Sequence, residues 1–435
     1  MSTTRMPGIS LVTATAIVVA NMIGTGVFTS LGFQVGPLPS GFVIMMLWVV
    51  GGICAFCGAV CYGELAAAMP RSGGEYHYLT QIFSPAAGFL AGWLSATVGF
   101  AAPIALAAMA FGKYFSGALP WANPEVLSHG IVIAMLLVHL IGVNVGAKFQ
   151  NVATWLKVLL IVVFIAAGMM MPHPQTISFL PIAGDAARMT SPAFAVSLVF
   201  VMYAYTGWNA VTYIVGEVKN PGRNIPLSVA IGTLIVSVLY VGLNAIFLRA
   251  APMSELAGKV DVGHTAADHI FGAQGGHLMA LLISGGLISA ISAMTWVGPR
   301  VMMAMGEDVK LLEPLGKKNA SGVPWVAMIA QTVIVMALLH SGKFEKVLTY
   351  VQFSLTLSSF LTVLGVMVLR FTQPELPRPY RAWGYPFTPL IFMAVSLWMM
   401  WHIMHSNPVE SLAGLGTILL GLIIFVISPR TPRTA

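Results

Sequence analysis

Charge is what this chain has least of. Only 8% of its 435 residues are Asp, Glu, Lys or Arg, and 57% are hydrophobic, where a soluble domain carries roughly 25% charged residues. So little charge cannot cover a water-exposed surface, which makes the chain an integral membrane protein. Cysteine is scarce too. Its three copies, Cys54, Cys57 and Cys61, share one apolar stretch at helical spacing; a fourth metal ligand is lacking, so they read as small packing residues rather than as a disulfide framework or a metal triad. There is no G-x-x-x-x-G-K-[S/T] segment to cradle nucleotide phosphates, so energy must come from an exchanged solute or a proton gradient. The formal charge of +7 is scattered over short loops rather than gathered in a patch. That excludes a nucleic-acid partner and points to anionic lipid headgroups. Neither cofactor, metal nor covalent catalysis is expected.

Long apolar runs are present instead. Twelve stretches of membrane-spanning length can be read near residues 10–30, 41–69, 86–115, 128–145, 151–171, 193–216, 226–250, 278–304, 325–340, 346–370, 388–405 and 409–428. The first is too long for the core of a signal peptide and no small-residue cleavage site follows it, so it is expected to stay as an anchor. Most basic loop residues, from Arg5 and Arg71 through Lys148, Lys219, Arg223 and Arg370 to Arg430 and Arg433, lie on one side. The few on the other are Arg188, Arg249, Lys259, Lys343 and Lys346. This bias places both termini in the cytoplasm. Gly88 and Gly92 read as close helix packing.

Two of the runs are interrupted. Gly24-Thr25-Gly26 breaks the first span and Thr206-Gly207 the sixth. Unwound backbone survives in hydrocarbon only where it lines a cavity and finds partners, and matched interruptions in two halves point to a transporter's substrate site. The first break would expose N–H groups at the positive start of an outer half-helix, suited to a carboxylate. Carbonyls from Tyr203 onward would close the other half-helix, suited to an ammonium. Together they complement the head group that all α-amino acids share.

The residues around these breaks carry a family resemblance. Gly24-Thr-Gly-Val-Phe28, Gly63-Glu-Leu-Ala66, Pro70-Arg-Ser-Gly-Gly-Glu-Tyr-His-Tyr78, Ala204-Tyr-Thr-Gly-Trp-Asn209, Glu217-Val-Lys-Asn-Pro-Gly-Arg-Asn-Ile-Pro226 and Arg378-Pro-Tyr-Arg-Ala-Trp-Gly-Tyr-Pro386 occur in order along nearly the whole chain. The chain resembles the amino acid/polyamine/organocation transporter superfamily, and within it the L-type amino acid transporter branch. That resemblance implies an all-α fold of about twelve transmembrane helices. Residues 10–171 and 193–370 would be two inverted five-helix repeats with broken first and sixth helices, and 388–428 two further helices. It implies a substrate carboxylate on the N–H groups of Thr25, Gly26 and Val27, and an amine at the carbonyls of Ile23, Tyr203, Ala204 and Thr206. It also implies an aromatic gate at Tyr203 and an ordering role for Asn209. Thr206 departs from the pattern, standing where many branch members have glycine.

Lys157 is the costliest residue of the fifth span, since an ammonium at membrane depth costs about 2.5–3.5 kcal/mol unless paired or hydrated. Snorkelling to the cytoplasmic headgroups is one reading. The resemblance implies another, in which the ammonium replaces a sodium ion between the first and eighth helices. Its partners would be the carbonyl of Gly24 or a neighbour and a hydroxyl at Ser289 or Ser292. Glu64, Arg71, Glu75, Glu217, Lys219, Arg223 and Arg300 read for the most part as solvated inner helix ends, or alternatively as an inner gate of ion pairs with Glu64 the leading candidate. His139, His340 and His402 read as packing residues rather than a proton relay.

The function these readings imply is sodium-independent transport of L-amino acids across the inner membrane by alternating access, as an exchanger or coupled to protons. An amino acid sensor, a channel and a polyamine or amine transporter are the competing readings. The expected partners are the small-molecule substrate and membrane lipid. The sequence leaves the assembly open, a monomer included.

Overall fold

The computed structural model describes residues 9–428 apart from 72, 142–145, 320 and 341–342. Arg5, Arg430 and Arg433 lie outside the described residues, as do the side chains of Lys148 and Glu217. The chain is helical throughout and has no strand among those residues. Its first half contains α1 (Leu11–Met22), α2 (Gly26–Thr29), α3 (Gly41–Ala68), α4 (Gly74–Ile82), α5 (Pro85–Leu94), α6 (Ala101–Ala118), α7 (Pro124–Ile141) and α8 (Gly146–Met169). After a connecting segment bearing α9 (Asp185–Met189) come α10 (Pro192–Tyr205), α11 (Pro221–Ala250), α12 (Met253–Leu256) and α13 (Val262–Asp308). α14 (Trp325–His340), α15 (Phe344–Thr372), α16 (Phe387–Ser406) and α17 (Pro408–Ile427) complete the bundle.

Serine begins four of these helices. Ser10, Ser40, Ser84 and Ser191 each turn a hydroxyl onto an N–H of the first turn, and proline follows directly at Pro85 and Pro192. A capped start satisfies backbone donors that hydrocarbon cannot. Nine helical segments are long and apolar enough to cross a membrane among the described residues, and three shorter apolar helices fall where the fourth, fifth and ninth spans were expected. The bundle also presents apolar side chains outward. Leu234 and Val238 on α11 and Leu412 and Val426 on α17 are more than half exposed, as suits a multi-pass membrane protein bathed in lipid.

Three irregularities shape the interior. α1 and α2 are separated by Ile23–Thr25, α10 stops before an extended Thr206 and a left-handed Gly207 and continues as a 3₁₀ stretch, and α5 joins α6 through a π-helical turn at Ser95–Gly99. α13 is long only nominally, because Gly272 (φ 73°, ψ 172°) divides it. α1 packs along α11, α11 along α3, and α13 along α6, so the two interrupted segments face each other at the centre. Cys54, Cys57 and Cys61 are free thiols buried within α3. Gly88 admits Thr80 where α4 meets α5.

Candidate substrate site at the two helix breaks

The first break is confined to the residues between Met22 and Gly26. α1 ends at Met22, whose carbonyl accepts a 2.6 Å hydrogen bond from the Tyr240 hydroxyl. The chain turns at Ile23 (φ −75°, ψ 85°) and helix resumes at Gly26. The N–H groups of Thr25, Gly26 and Val27 open this short turn, while that of Phe28 is taken by the Thr25 carbonyl at 3.0 Å. Thr25 and Val27 are buried.

The second break meets the first at van der Waals distance. A Cβ added at Gly26 would lie 2.4 Å from Ala204 Cα, and one at Gly207 would lie 2.7 Å from the Asn21 carbonyl oxygen. Glycine is required at 26 for this approach and at 207 also for its φ of 112°. Tyr203, on the last turn of α10, sends its hydroxyl to within 3.2 Å of Thr25 Oγ1. Its carbonyl accepts from both the N–H and the hydroxyl of Thr206, at 3.1 and 2.6 Å. The Thr206 side chain is thus committed to capping α10. Ile23 is engaged as well: its carbonyl accepts from Lys157 Nζ at 3.3 Å.

Lys157 is buried on α8, with its stem against the bare backbone of Gly286 on α13. The ammonium therefore sits between the first break and α13 rather than reaching toward headgroups. Ser289 is buried on the next turn of α13. Ser292 turns elsewhere, its hydroxyl 3.0 Å from His139 Nε2. A helical step of three residues rotates the second hydroxyl away from the first. His340 meets His129 and His402 meets Trp398 edge on.

The breaks line one cavity of about 100 Å³. Thr25, Gly26, Tyr203, Ala204 and Thr206 are on its wall, joined by Phe100 and Pro103 from the third span and Ala290 and Met294 from α13. In the turn that follows α2, Phe33 is stacked between Phe200 (centroids 5.2 Å apart) and Phe344 (5.9 Å). A loop holds the same turn, the Gly258 N–H donating to the Gly32 carbonyl at 2.8 Å. Tyr114 donates to the Phe28 carbonyl at 2.7 Å and accepts from the Gly263 N–H at 2.9 Å.

The inner charges require a correction. Arg71, Lys219, Arg223 and Arg300 are exposed as expected, but Glu64 and Glu75 are not solvated helix ends. Glu64 is buried and paired outside the expected set, with Arg370 Nε and Nη2 at 2.9 and 2.6 Å, the Ala382 N–H at 2.7 Å and Arg378 Nε at 3.6 Å. Arg370 also stacks on Tyr385, 3.7 Å from the ring centre. The Arg378–Pro386 motif thus wraps a carboxylate of α3. Glu75 is buried too, and lines the cavity. It accepts from the Tyr62 and Ser358 hydroxyls and from Asn209 Nδ2 at 3.4 Å. Asn209 follows the Gly207 break directly, so its amide ties that break to Glu75. Arg300 stacks on Trp296 of its own helix, 3.7 Å from the ring centre.

Sequence reasoning passed over Tyr240, Tyr114, the π turn and the burial of Glu75. The Gly-Gly-Glu-Tyr motif was the available signal for Glu75, but its register against α3 and α15 is a tertiary fact.

Comparison with known proteins adds to this geometry. Residues 9–427 match the amino acid permease family. The chain is 27% identical to the b(0,+)-type amino acid transporter 1 of Mus musculus over 98% of its own length and 88% of the relative's. It is 27% identical to the human large neutral amino acids transporter small subunit 2, covering 96% and 79%. It is 26% identical to the Asc-type amino acid transporter 1 of Mus musculus, covering 96% and 80%.

Proposed function

The chain belongs to the amino acid permease family, and we propose that it carries L-amino acids across the cytoplasmic membrane by alternating access, without sodium. The observation that carries this reading is the meeting of two broken helices on one cavity, N–H groups on one side and carbonyls on the other. The carboxylate would sit on the N–H groups of Thr25, Gly26 and Val27. The amine would sit on the carbonyls of Ala204 and Thr206, with those of Tyr203 and Ile23 offering the acceptor capacity their internal donors leave. Main chain recognises what all amino acids have in common, and Phe100, Pro103, Ala290 and Met294 meet the side chain.

Tyr203 is the gate in this scheme. Its hydroxyl bond to Thr25 bridges the two breaks, so the ring must swing for a substrate to pass. Residues 10–171 and 193–370 act as inverted repeats, with 388–428 outside the exchange of faces and both termini in the cytoplasm. Lys157 supports the sodium-free reading, because its ammonium already occupies the first break at the Ile23 carbonyl and a second cation there would be repelled in a poorly screened interior.

The test is counterflow in proteoliposomes. A labelled mixture of the twenty L-amino acids should enter vesicles faster when the unlabelled mixture is inside, and equally fast with choline in place of sodium. A thermal-shift screen against each amino acid names the substrate, since a ligand of the folded state raises the midpoint by mass action. Binding without any counterflow would make the protein a sensor, and a strict sodium requirement would mean that the Lys157 ammonium does not stand in for the ion.

A further inference from the structure

Glu75 is not needed to bind an amino acid head group, yet it is the acidic group the cavity holds. It is 4% exposed, lines the wall shared by Thr25, Tyr203 and Asn209, and its described partners are all neutral. From α3 it is faced by Tyr62, from the 3₁₀ stretch after the second break by Asn209 and Tyr213, from α15 by Ser358 and Ser359, and from its own helix by Tyr78. α5, which packs on α4, presents no titratable side chain. Arg370 of α15 is engaged on Glu64, and His77, on the same helix as Glu75, lies close enough to Arg71 to feel its charge. Among the described residues no Lys, Arg or His lies within ion-pair distance of Glu75. Burial pushes this carboxyl above the usual carboxylate range, and the hydroxyl and amide donors oppose that without cancelling it.

A buried carboxylate without a counter-ion is unfavourable, and binding a proton relieves it. Its surroundings tolerate both forms. The hydroxyls of Tyr62 and Ser358 donate to the anion and can turn to accept from the acid. Asn209 can only donate through Nδ2, so the protonated acid holds the second break less firmly.

We propose that Glu75 is a proton-binding site of the transport cycle, loading from the cavity and tying its protonation to the position of the unwound stretch after Gly207. This rests on the transport reading above and names the coupled ion. The bond formed is O–H on one carboxylate oxygen; the proton comes from water on one side of the membrane and is returned on the other.

The experiment uses the full chain in liposomes loaded with a pH-sensitive dye, with the labelled mixture of twenty L-amino acids as probe. Wild-type vesicles should acidify inside as label enters. The initial rate should depend on external pH as for one titrating group, falling by up to about tenfold per pH unit on the alkaline side. Glu75→Gln should lose both the acidification and the pH dependence, and Glu75→Asp should restore a titration. Ser358→Ala, which removes a donor to the anion, should move the midpoint of the profile to higher pH, a shift that lost packing alone would not produce. That variant carries the test if Glu75→Gln does not fold. Label entering wild-type vesicles with no change of internal pH would overturn the proposal while leaving transport intact, as would acidification retained in Glu75→Gln. Selective loss of lysine and arginine uptake with a flat wild-type pH profile would overturn it in favour of a side-chain pocket. Absence of label uptake under every condition would instead sink the transport reading itself.

Discussion

Glu64 and Glu75 stand on either side of the turn that joins α3 to α4, and both are withdrawn from solvent, yet the protein satisfies them by opposite means. Glu64 is held by a bidentate guanidinium, a second arginine and a backbone N–H. Glu75 is held by two hydroxyls and an amide. The first arrangement sets a carboxylate against guanidinium groups. The second leaves the charge free to change, because every partner is neutral. Lys157 also has a neutral partner, the Ile23 carbonyl at 3.3 Å. The ion-paired glutamate joins α3 to α15 and the loop after it, while the glutamate with neutral partners lies against the cavity.

The largest expected effect lies on the ion-paired side. Glu64→Ala takes the carboxylate from Arg370, while Arg378 keeps its four backbone carbonyls, and breaking a buried pair by removing one partner costs about 3–5 kcal/mol. The variant should lose most folded protein in detergent, read as the monodisperse fraction on size exclusion and as the thermal midpoint. A loss under about 1 kcal/mol, typical of surface pairs, would erase the distinction between the two glutamates. Lys157→Met comes next, and its effect should fall on function. Methionine keeps the stem against Gly286 and discards an ion that gains little where it lies, so the thermal midpoint should hold or rise while initial uptake falls by about tenfold or more, the equivalent of ~1.4 kcal/mol. A midpoint that collapses would mean that the ammonium is structural.

Glu75→Gln should change stability by about 1 kcal/mol or less at neutral pH, the size of an ordinary hydrogen bond, and the sign should depend on pH. A carboxyl raised in the folded state contributes stability that is fully present below its unfolded value and is lost as pH rises through the folded value. The wild type should therefore lose ground to the variant as pH rises, measured as paired thermal midpoints across a pH series. A constant difference would mean that Glu75 does not titrate. The smallest effect is expected at Asp185, in the segment between the fifth and sixth spans. The Ile182 N–H at 2.9 Å, chiefly, with Arg188 at 2.8 Å, holds its carboxyl below the usual range. That contribution is present above the unfolded value and lost as pH falls through the folded one. Asp185→Asn should lower the midpoint slightly at neutral pH, with the difference closing in acid; an equal gap at both ends would show that the cap acts without its charge.

The all-helical membrane class and both helix breaks were legible from the chain because they depend on local facts: apolar runs of spanning length and glycines inside them. The partnerships of the inner carboxylates were not. Glu64 meets Arg370 and Ala382 across more than three hundred residues of chain, and nothing local to Gly63-Glu64-Leu65 names them. Glu75 looked like a helix end because it is one, at the start of α4; only the approach of α3 and α15 buries it. Tyr114, Tyr240 and the π turn were hidden for a related reason. In spans that are apolar all round, helical phase leaves no trace, so which tyrosine points inward is decided by packing. Ser289 and Ser292 illustrate this, since two hydroxyls three residues apart are carried to different neighbours by ordinary helix geometry.

The Tyr114 hydroxyl, finally, holds more than its two hydrogen bonds suggest. It donates to a carbonyl of α2 and accepts from the start of α13, so a single oxygen joins two segments. If either segment departs, the oxygen is left with half its bonding in a dry place, and the other segment loses its reason to stay. The segment after the first break and the start of α13 are thus pinned to each other through one buried oxygen, and parting them leaves that oxygen half satisfied.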